Sequence, residues 1–338
     1  MTGTVFKSTG SWYTVKTNLG AIYQCRIKGK FRLKGIKSTN PIAVGDNVDF
    51  ELETNNDETT GVINYIHDRK NYIVRKSVNL SKQTHVIASN IDQVFLLITI
   101  DNPPRNAVSR KTLAEINKVL DYSQNNQQVK GIIITGSNGM FSSGAGADSA
   151  SIQLKGDDTH AFLAREVYNR IERFPKLIIA AISGISAGGG NELAMACDIR
   201  IASSDARLAQ PELEVGLIPG FGGMQRLQRH VGLGRAMDIM LTGRIVKADE
   251  ALSIGLISSI TSEKSLKQTA ISLATGLTNK LNANALTQFK QRMAISADEP
   301  FGTSLRNDQL TFDRIFYSEE GQAALKGYIE KKKRQPTN

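Results

Sequence analysis

Ile182-Ser183-Gly184-Ile185-Ser186-Ala187-Gly188-Gly189-Gly190-Asn191-Glu192-Leu193-Ala194-Met195-Ala196-Cys197-Asp198 is the stretch that decides how most of this chain is read. The residues leading into it, Leu177-Ile178-Ile179-Ala180-Ala181-Ile182, form an apolar run with the length of a buried strand. Three glycines follow, and a helix starts there. Glycine lets the backbone approach a ligand closely, and a helix start leaves unpaired N–H groups at the positive end of the dipole. Such a junction can seat an anionic oxygen, although tight helix–sheet packing can demand the same glycines.

Outward from this point the pattern stays mixed. Gly131 to Gly136 reads as a second buried strand ended by glycine. Arg110 to Ser123 has helical spacing at Leu113, Ile116, Val119 and Leu120, and a further helix covers about Thr159 to Phe174, stopping at Pro175. The tail from about Lys264 is almost wholly helical and ends in Lys331-Lys332-Lys333-Arg334. Strands alternating with helices predict an α/β architecture.

The first hundred residues follow a different grammar. Thr14–Thr17, Ala21–Ile27, Asn47–Glu51 and Gly61–Ile66 read as short strands, punctuated by Asn18-Leu19-Gly20, Pro41, Gly45-Asp46 and a polar loop from Thr54 to Thr60. That spacing predicts a small all-β barrel or sandwich. A chain of 338 residues has room for both parts. The expected boundary places the barrel at 1–83 and the α/β domain at 84–338. Thr84–Ser89 and Val94–Ile100 are expected to pair as the opening hairpin of the second domain.

Composition narrows the function classes. Cys25 and Cys197 lie far apart, which excludes a disulfide framework and suits a reducing compartment. His67, His85, His160 and His230 have no Cys or His at ligand spacing, so no metal site is expected. His160 and His230 are expected to be surface or helix-packing residues. No apolar run approaches the ~20 residues of a membrane span and no signal peptide opens the chain, so a cytoplasmic protein without membrane partners is expected. Net charge is +10, with 13 Lys/Arg against 8 Asp/Glu in the first hundred residues. That excess favours polyanionic partners, nucleic acid or a phosphorylated cofactor, or is simply a soluble surface.

Two further motifs join the first. One is Ala209-Gln210-Pro211-Glu212-Leu213-Glu214-Val215-Gly216-Leu217-Ile218-Pro219-Gly220-Phe221-Gly222-Gly223; the other is Phe141-Ser142-Ser143-Gly144-Ala145-Gly146-Ala147-Asp148. With Asn102-Pro103-Pro104-Arg105-Asn106-Ala107 and Leu241-Thr242-Gly243-Arg244, they make residues 94–334 closely similar to the enoyl-CoA hydratase/isomerase (crotonase) family. The resemblance implies a ββα spiral with a C-terminal helical trimerisation region, assembled as a homotrimer or dimer of trimers. It implies hydration of 2-trans-enoyl-CoA to 3-hydroxyacyl-CoA. Adding water to an enoyl thioester places oxygen at C3 and a proton at C2 while charge develops on the thioester oxygen. Two N–H groups can stabilise that charge, and two carboxylates can handle water and proton.

By the resemblance Gly189 is one oxyanion donor, Glu192 orients water and Glu212 serves C2. Enoyl-CoA isomerases usually keep only the second glutamate, so the pair points to a hydratase. The second oxyanion donor has two readings, because Asp148 stands two residues later than the family's Phe-x-x-Gly-Ala-Asp pattern. Anchoring on Phe141 gives Ala145; anchoring on Asp148 gives Ala147, which is favoured because the following helix would fix that amide. Arg105, Ala107, Gly144 and Asp148 are expected along the path of coenzyme A, which arrives as part of the substrate; no permanently bound cofactor is expected. The scaffold also supports isomerisation and thioester hydrolysis.

The N-terminal part carries Ser11-Trp12-Tyr13, Cys25-Arg26-Ile27-Lys28-Gly29-Lys30-Phe31-Arg32, Val44-Gly45-Asp46, Arg69-Lys70-Asn71 and Ser89-Asn90-Ile91-Asp92-Gln93-Val94. Residues 3–100 thereby resemble the OB-fold domain of the ribosome-assembly GTPases with a circularly permuted core. No GxxxxGK[ST] phosphate loop occurs in the chain, so GTP hydrolysis is not expected. Lys28, Lys30 and Arg32 beside Phe31, with Trp12 and Tyr13 as stacking faces, suit an RNA or ribosome surface. The other reading is a barrel retained as an inert appendage of a natural or constructed fusion. A second function hypothesis therefore stands beside the enzyme: an RNA-binding module on a weakly active or inactive crotonase scaffold.

Overall fold

The computed structural model describes residues 1–27, 41–55, 58–76, 84–145 and 159–334. The chain forms two compact units, Met1–Gln93 and Val94–Asn338.

In the first unit β1 (Thr2–Thr9), β2 (Trp12–Thr17), β3 (Ile22–Ile27), β4 (Asn47–Asn55) and β5 (Glu58–Ile66) close into a barrel in the order β1-β2-β3-β5-β4. Pairing is antiparallel except between β3 and β5, the arrangement of an OB-fold. Alternation fills the interior: Val5, Tyr13, Val15, Cys25, Val48, Phe50 and Ile63 are all buried. Tyr13 is only 2% exposed, so its expected role as a stacking face is corrected; it is core, and Trp12, its neighbour on the opposite face, is 43% exposed.

β6 (Tyr72–Lys76) and β7 (Thr84–Ser89) form a two-stranded antiparallel sheet in the same unit. The expected hairpin between 84–89 and 94–100 is therefore not what forms. The reason is a buried carboxylate. Asp46 accepts two bonds from Arg69, one from the Ser89 hydroxyl and one from the Ala43 amide, at 2.5–2.8 Å. Val44 bridges Ala88, and Asn71 exchanges bonds with Ile91. These contacts draw 84–93 to the barrel, and the division between units falls after Gln93 rather than at 83.

In the second unit β8 (Val94–Ile100), β9 (Val129–Gly136), β10 (Leu177–Ile182), β12 (Ile199–Ser203) and β15 (Ser259–Thr261) make a parallel sheet in the order β15-β12-β10-β9-β8. A second sheet contains β11 (Ile185–Ala187), β13 (Arg207–Ala209) and β14 (Val246–Lys247). Consecutive strands pass from the first sheet to the second through tight corners. At the corner between β10 and β11, Gly184 has φ +51°, and a Cβ there would stand 2.1 Å from the Gly139 carbonyl oxygen. Ser142 bridges Ser186, and β11 pairs with β13, so three successive turns of the chain stack side by side.

A helix follows each turn of this spiral. α1 (Arg110–Asn125) is capped by Ser109, whose hydroxyl accepts from the Thr112 amide. α2 (Thr159–Glu172), α3 (Gly189–Ala196), α4 (Gly223–Val231), α5 (Leu233–Thr242) and α6 (Ala248–Ser253) complete the spiral. α7 (Glu263–Lys280), α8 (Ala283–Ser296), α9 (Phe301–Phe316) and α10 (Glu319–Arg334) form the helical tail. Buried Ile132, Ile134, Ile178, Leu193, Leu227 and Ile239 hold the main core. No described helix is long and apolar enough to cross a membrane.

Candidate active site

The stacked turns bring three backbone exits to one place. The loop after Ser142, the start of α3 after β11, and a 3₁₀ turn (Glu212–Val215) after β13 lie side by side. Hydrogen bonds stitch them: Ala187 donates to the Ser142 carbonyl, Gly188 to that of Ala209, and Ser142 to that of Ile185. The site is thus a consequence of the spiral's repeat.

α3 begins at Gly189, and its first turn leaves amide N–H groups without helical acceptors. Gly144, at φ +92°, holds the neighbouring loop so close that a Cβ on it would stand 2.8 Å from the Gly189 nitrogen. A Cβ on Gly189 would lie 3.4 Å from the Ala145 nitrogen and 2.9 Å from the Phe221 ring. The Ala145 and Gly189 amides are therefore neighbours. Ala147 and Asp148 lie outside the described residues, as do Lys28, Lys30, Phe31 and Arg32 of the barrel. The Tyr168 hydroxyl donates to the Gly189 carbonyl at 2.7 Å, fixing the peptide that starts the helix. The loop is also tied to the 102–107 turn: Ser143 donates to the Arg105 carbonyl and Val108 to that of Gly144. The Arg105 side chain is exposed and Ala107 half-buried.

Glu192, one turn into α3, is 1% exposed. Its Oε1 accepts from the Phe221 amide at 2.8 Å and the Gly223 amide at 2.7 Å, the latter opening α4. Burial pushes its carboxyl up to about 7; the two amides pull the other way, and the nearby charge of Glu212 adds to the rise. Glu212 is also raised by burial, against a hydrogen bond from Gln210. Gln210 Nε2 donates to Glu212 Oε1 at 2.9 Å, and Asn191 Nδ2 donates to Gln210 Oε1 at 2.8 Å. Glu212 Oε2 is buried with no hydrogen-bond partner. Two carboxyl groups with raised proton affinity, one with an open oxygen, can pass protons beside amides able to hold an oxyanion.

The sequence motifs therefore converge for Glu192, Glu212, Gly189 and Ala145. Sequence reasoning passed over Tyr168, Phe221, Gln210 and Asn191 as individual participants, though the last three stand inside the quoted motifs. His160 and His230 do not join the site as acid or base. His160 is buried and packs edge-on against Phe221, with its proton affinity lowered by burial and by the charge of Arg110. His230 is lowered to about 4 by burial and sits by Arg200 and the Met195 carbonyl. Among the described residues no three His, Cys, Asp or Glu side chains group as a metal site.

Comparison with known proteins follows the same division. Residues 2–63 match the sequence model of the RsgA N-terminal domain. The small ribosomal subunit biogenesis GTPase RsgA of Flavobacterium johnsoniae is 76% identical over 104 residues, 31% of this chain and 32% of that protein. The chain thus spans about a third of the length of that GTPase. The short-chain-enoyl-CoA hydratase of Clostridium acetobutylicum is 38% identical over 244 residues, 70% of this chain and 92% of that protein. The crystal structure of an enoyl-CoA hydratase from Bacillus anthracis superposes with TM-score 0.65 at 28% identity, covering 72% of this chain and 94% of that one. Residues 90–337 match the enoyl-CoA hydratase/isomerase model, and the chain belongs to that family.

Proposed function

We propose that the second unit hydrates 2-trans-enoyl-CoA to 3-hydroxyacyl-CoA. The observation that carries this reading is the pair Glu192 and Glu212, both raised in proton affinity and coupled in charge, beside the first amides of α3. The thioester oxygen would lie between the Gly189 amide and an amide of the 145–147 loop, Ala145 or Ala147. Glu192, ionised, takes a proton from water as its oxygen bonds to C3; Glu212, protonated, gives its proton to C2. The enolate charge returns to carbon as that C–H bond forms, and the glutamates exchange protons with solvent to reset.

No metal or permanently bound cofactor is needed. Coenzyme A enters with the acyl group, and Arg105 is an exposed cation on the turn tied to Gly144. The named activity of the hydratase relatives supports hydration, while isomerisation remains the other chemistry that a single proton-shuttling Glu212 would support. Exposed Phe301, Leu305, Phe312 and Tyr317 on the helical tail support assembly into a trimer or dimer of trimers.

The test is loss of the enoyl-thioester absorbance of crotonyl-CoA, with a chelator present. Wild type is expected to turn over and Glu212→Gln to be severely slowed; equal rates would refute the mechanism. A second reading concerns the barrel. Trp12, 43% exposed, and the basic strands around it support RNA or ribosome contact. Filter binding of the full chain to RNA at several salt concentrations tests this, and salt-independent or absent binding would leave the barrel an appendage.

A further inference from the structure

We infer that Asn191 is a positioning residue that sets the proton affinity of Glu212 through Gln210. The inference rests on the reading of Glu212 as the group serving C2 and deepens it.

Asn191 is 1% exposed and Gln210 fully buried, so neither amide can turn to water. The bonds run in one direction, from Asn191 Nδ2 to Gln210 Oε1 and from Gln210 Nε2 to Glu212 Oε1. An ionised carboxylate only accepts, whereas a protonated one also donates. A primary amide can meet either state by turning end for end. Gln210 is held from turning because its carbonyl is occupied by Asn191. Were both amides to turn, Asn191 would bury an unpaired NH₂ in place of its present unpaired Oδ1. Orphaned buried donors are the rarer case. The relay therefore favours the ionised form of Glu212 and opposes the effect of burial. It also keeps Oε1 occupied, leaving Oε2 as the oxygen that exchanges the proton. The charged group coupled to Glu212 from α3 is Glu192, which in turn feels Arg226 of α4; both are unchanged in the variants below.

The experiment titrates the Glu212 carboxyl by ¹³C NMR in the full chain with labelled glutamate, assigned by the signal missing in Glu212→Gln. It is paired with the pH profile of crotonyl-CoA hydration. Asn191→Leu frees Gln210 to turn, and the carboxyl is expected to titrate about one unit higher, the order expected for one charge-assisted hydrogen bond. The alkaline limb of kcat/KM moves up with it, because the acid form of Glu212 then survives to higher pH. Gln210→Met gives a like shift, and adding Asn191→Leu to it gives no further shift.

Asn191→Ala, smaller and uncharged, tests the same point if the leucine variant does not fold. It too frees Gln210 to turn, so the titration again rises with no new charge beside Glu212. An unmoved titration in a folded variant, or additive shifts in the double variant, would overturn the relay. Absence of turnover in wild type would defeat the hydratase reading alone, since the NMR titration needs no substrate.

Discussion

Each unit withdraws carboxylate oxygens from water, in the buried Asp46 and at Oε2 of the half-buried Glu212, and the two groups are treated in opposite ways. In the barrel, Asp46 has Arg69, Ser89 and the Ala43 amide on its two oxygens, and both oxygens are used. In the spiral, Glu212 has one oxygen on Gln210 and the other buried with nothing on it. A saturated carboxylate is a fastener; one with an open oxygen can take up or release a proton. The contrast separates a structural role from a chemical one by hydrogen bonding alone.

The sharpest way to break the contrast is to neutralise each group in place. Glu212→Gln is expected to lower kcat by about 100- to 10,000-fold, the span of a lost acid–base group, with the melting temperature unchanged or higher. Asp46→Asn leaves the Arg69 guanidinium buried without its counter-charge and is expected to cost about 3–5 kcal/mol of barrel stability by denaturant titration. Hydration activity of the same variant should persist wherever the second unit stays folded. If Asp46→Asn were neutral and Glu212→Gln strongly destabilising, the assignment of roles would be reversed.

Glu192 gives the next effect, and its sign follows from linkage. Its carboxyl rises from the ordinary 4.5 to about 7 in the folded chain. Below pH 4.5 both folded and unfolded forms are protonated and the burial is cheap; as pH rises through 7 that stability is lost. Glu192→Gln, which never ionises, should therefore gain on wild type between those limits, by at most about 3 kcal/mol at pH 8, from a shift of that size. Paired unfolding curves at pH 4.5 and 8 read this directly, and an equal difference at both would contradict it. Smaller again is Gly144→Ala. Its Cβ would fall 2.7 Å from the Ala187 carbonyl oxygen at a backbone angle of φ +92°, so about 1–3 kcal/mol of strain is expected. Because the loop abuts the Gly189 amide, kcat should fall with little change in KM.

The fold was readable where the signal was local. The strand–glycine–helix junction, the helices at 110 and 159 and four of the barrel strands stand close to where their periodicity puts them; β1 (Thr2–Thr9) was not among the expected strands, and Thr54, Asn55 and Glu58 to Thr60, read as a loop, extend β4 and β5. Trp12 and Tyr13 show a local signal passed over: alternation with buried Val15 already puts Tyr13 inside. The pairing of 84–89 was not readable, because it depends on Asp46 meeting Arg69 and Ser89 across a long sequence separation. In the site, Glu192 and Glu212 were legible from their motifs. The path from Asn191 through Gln210 was not, since its 2.8 and 2.9 Å contacts exist only once β11 and β13 are side by side.

The central claim is that Glu192 and Glu212 add water across one double bond. The most direct measurement is the isotope pattern of product formed from crotonyl-CoA in ²H₂¹⁸O by the full-length chain. ¹⁸O at C3 with one deuterium at C2, in strict proportion, is the expected result. Deuterium without oxygen-18, or label appearing at C4, would contradict hydration and leave proton transfer alone as the chemistry of this site.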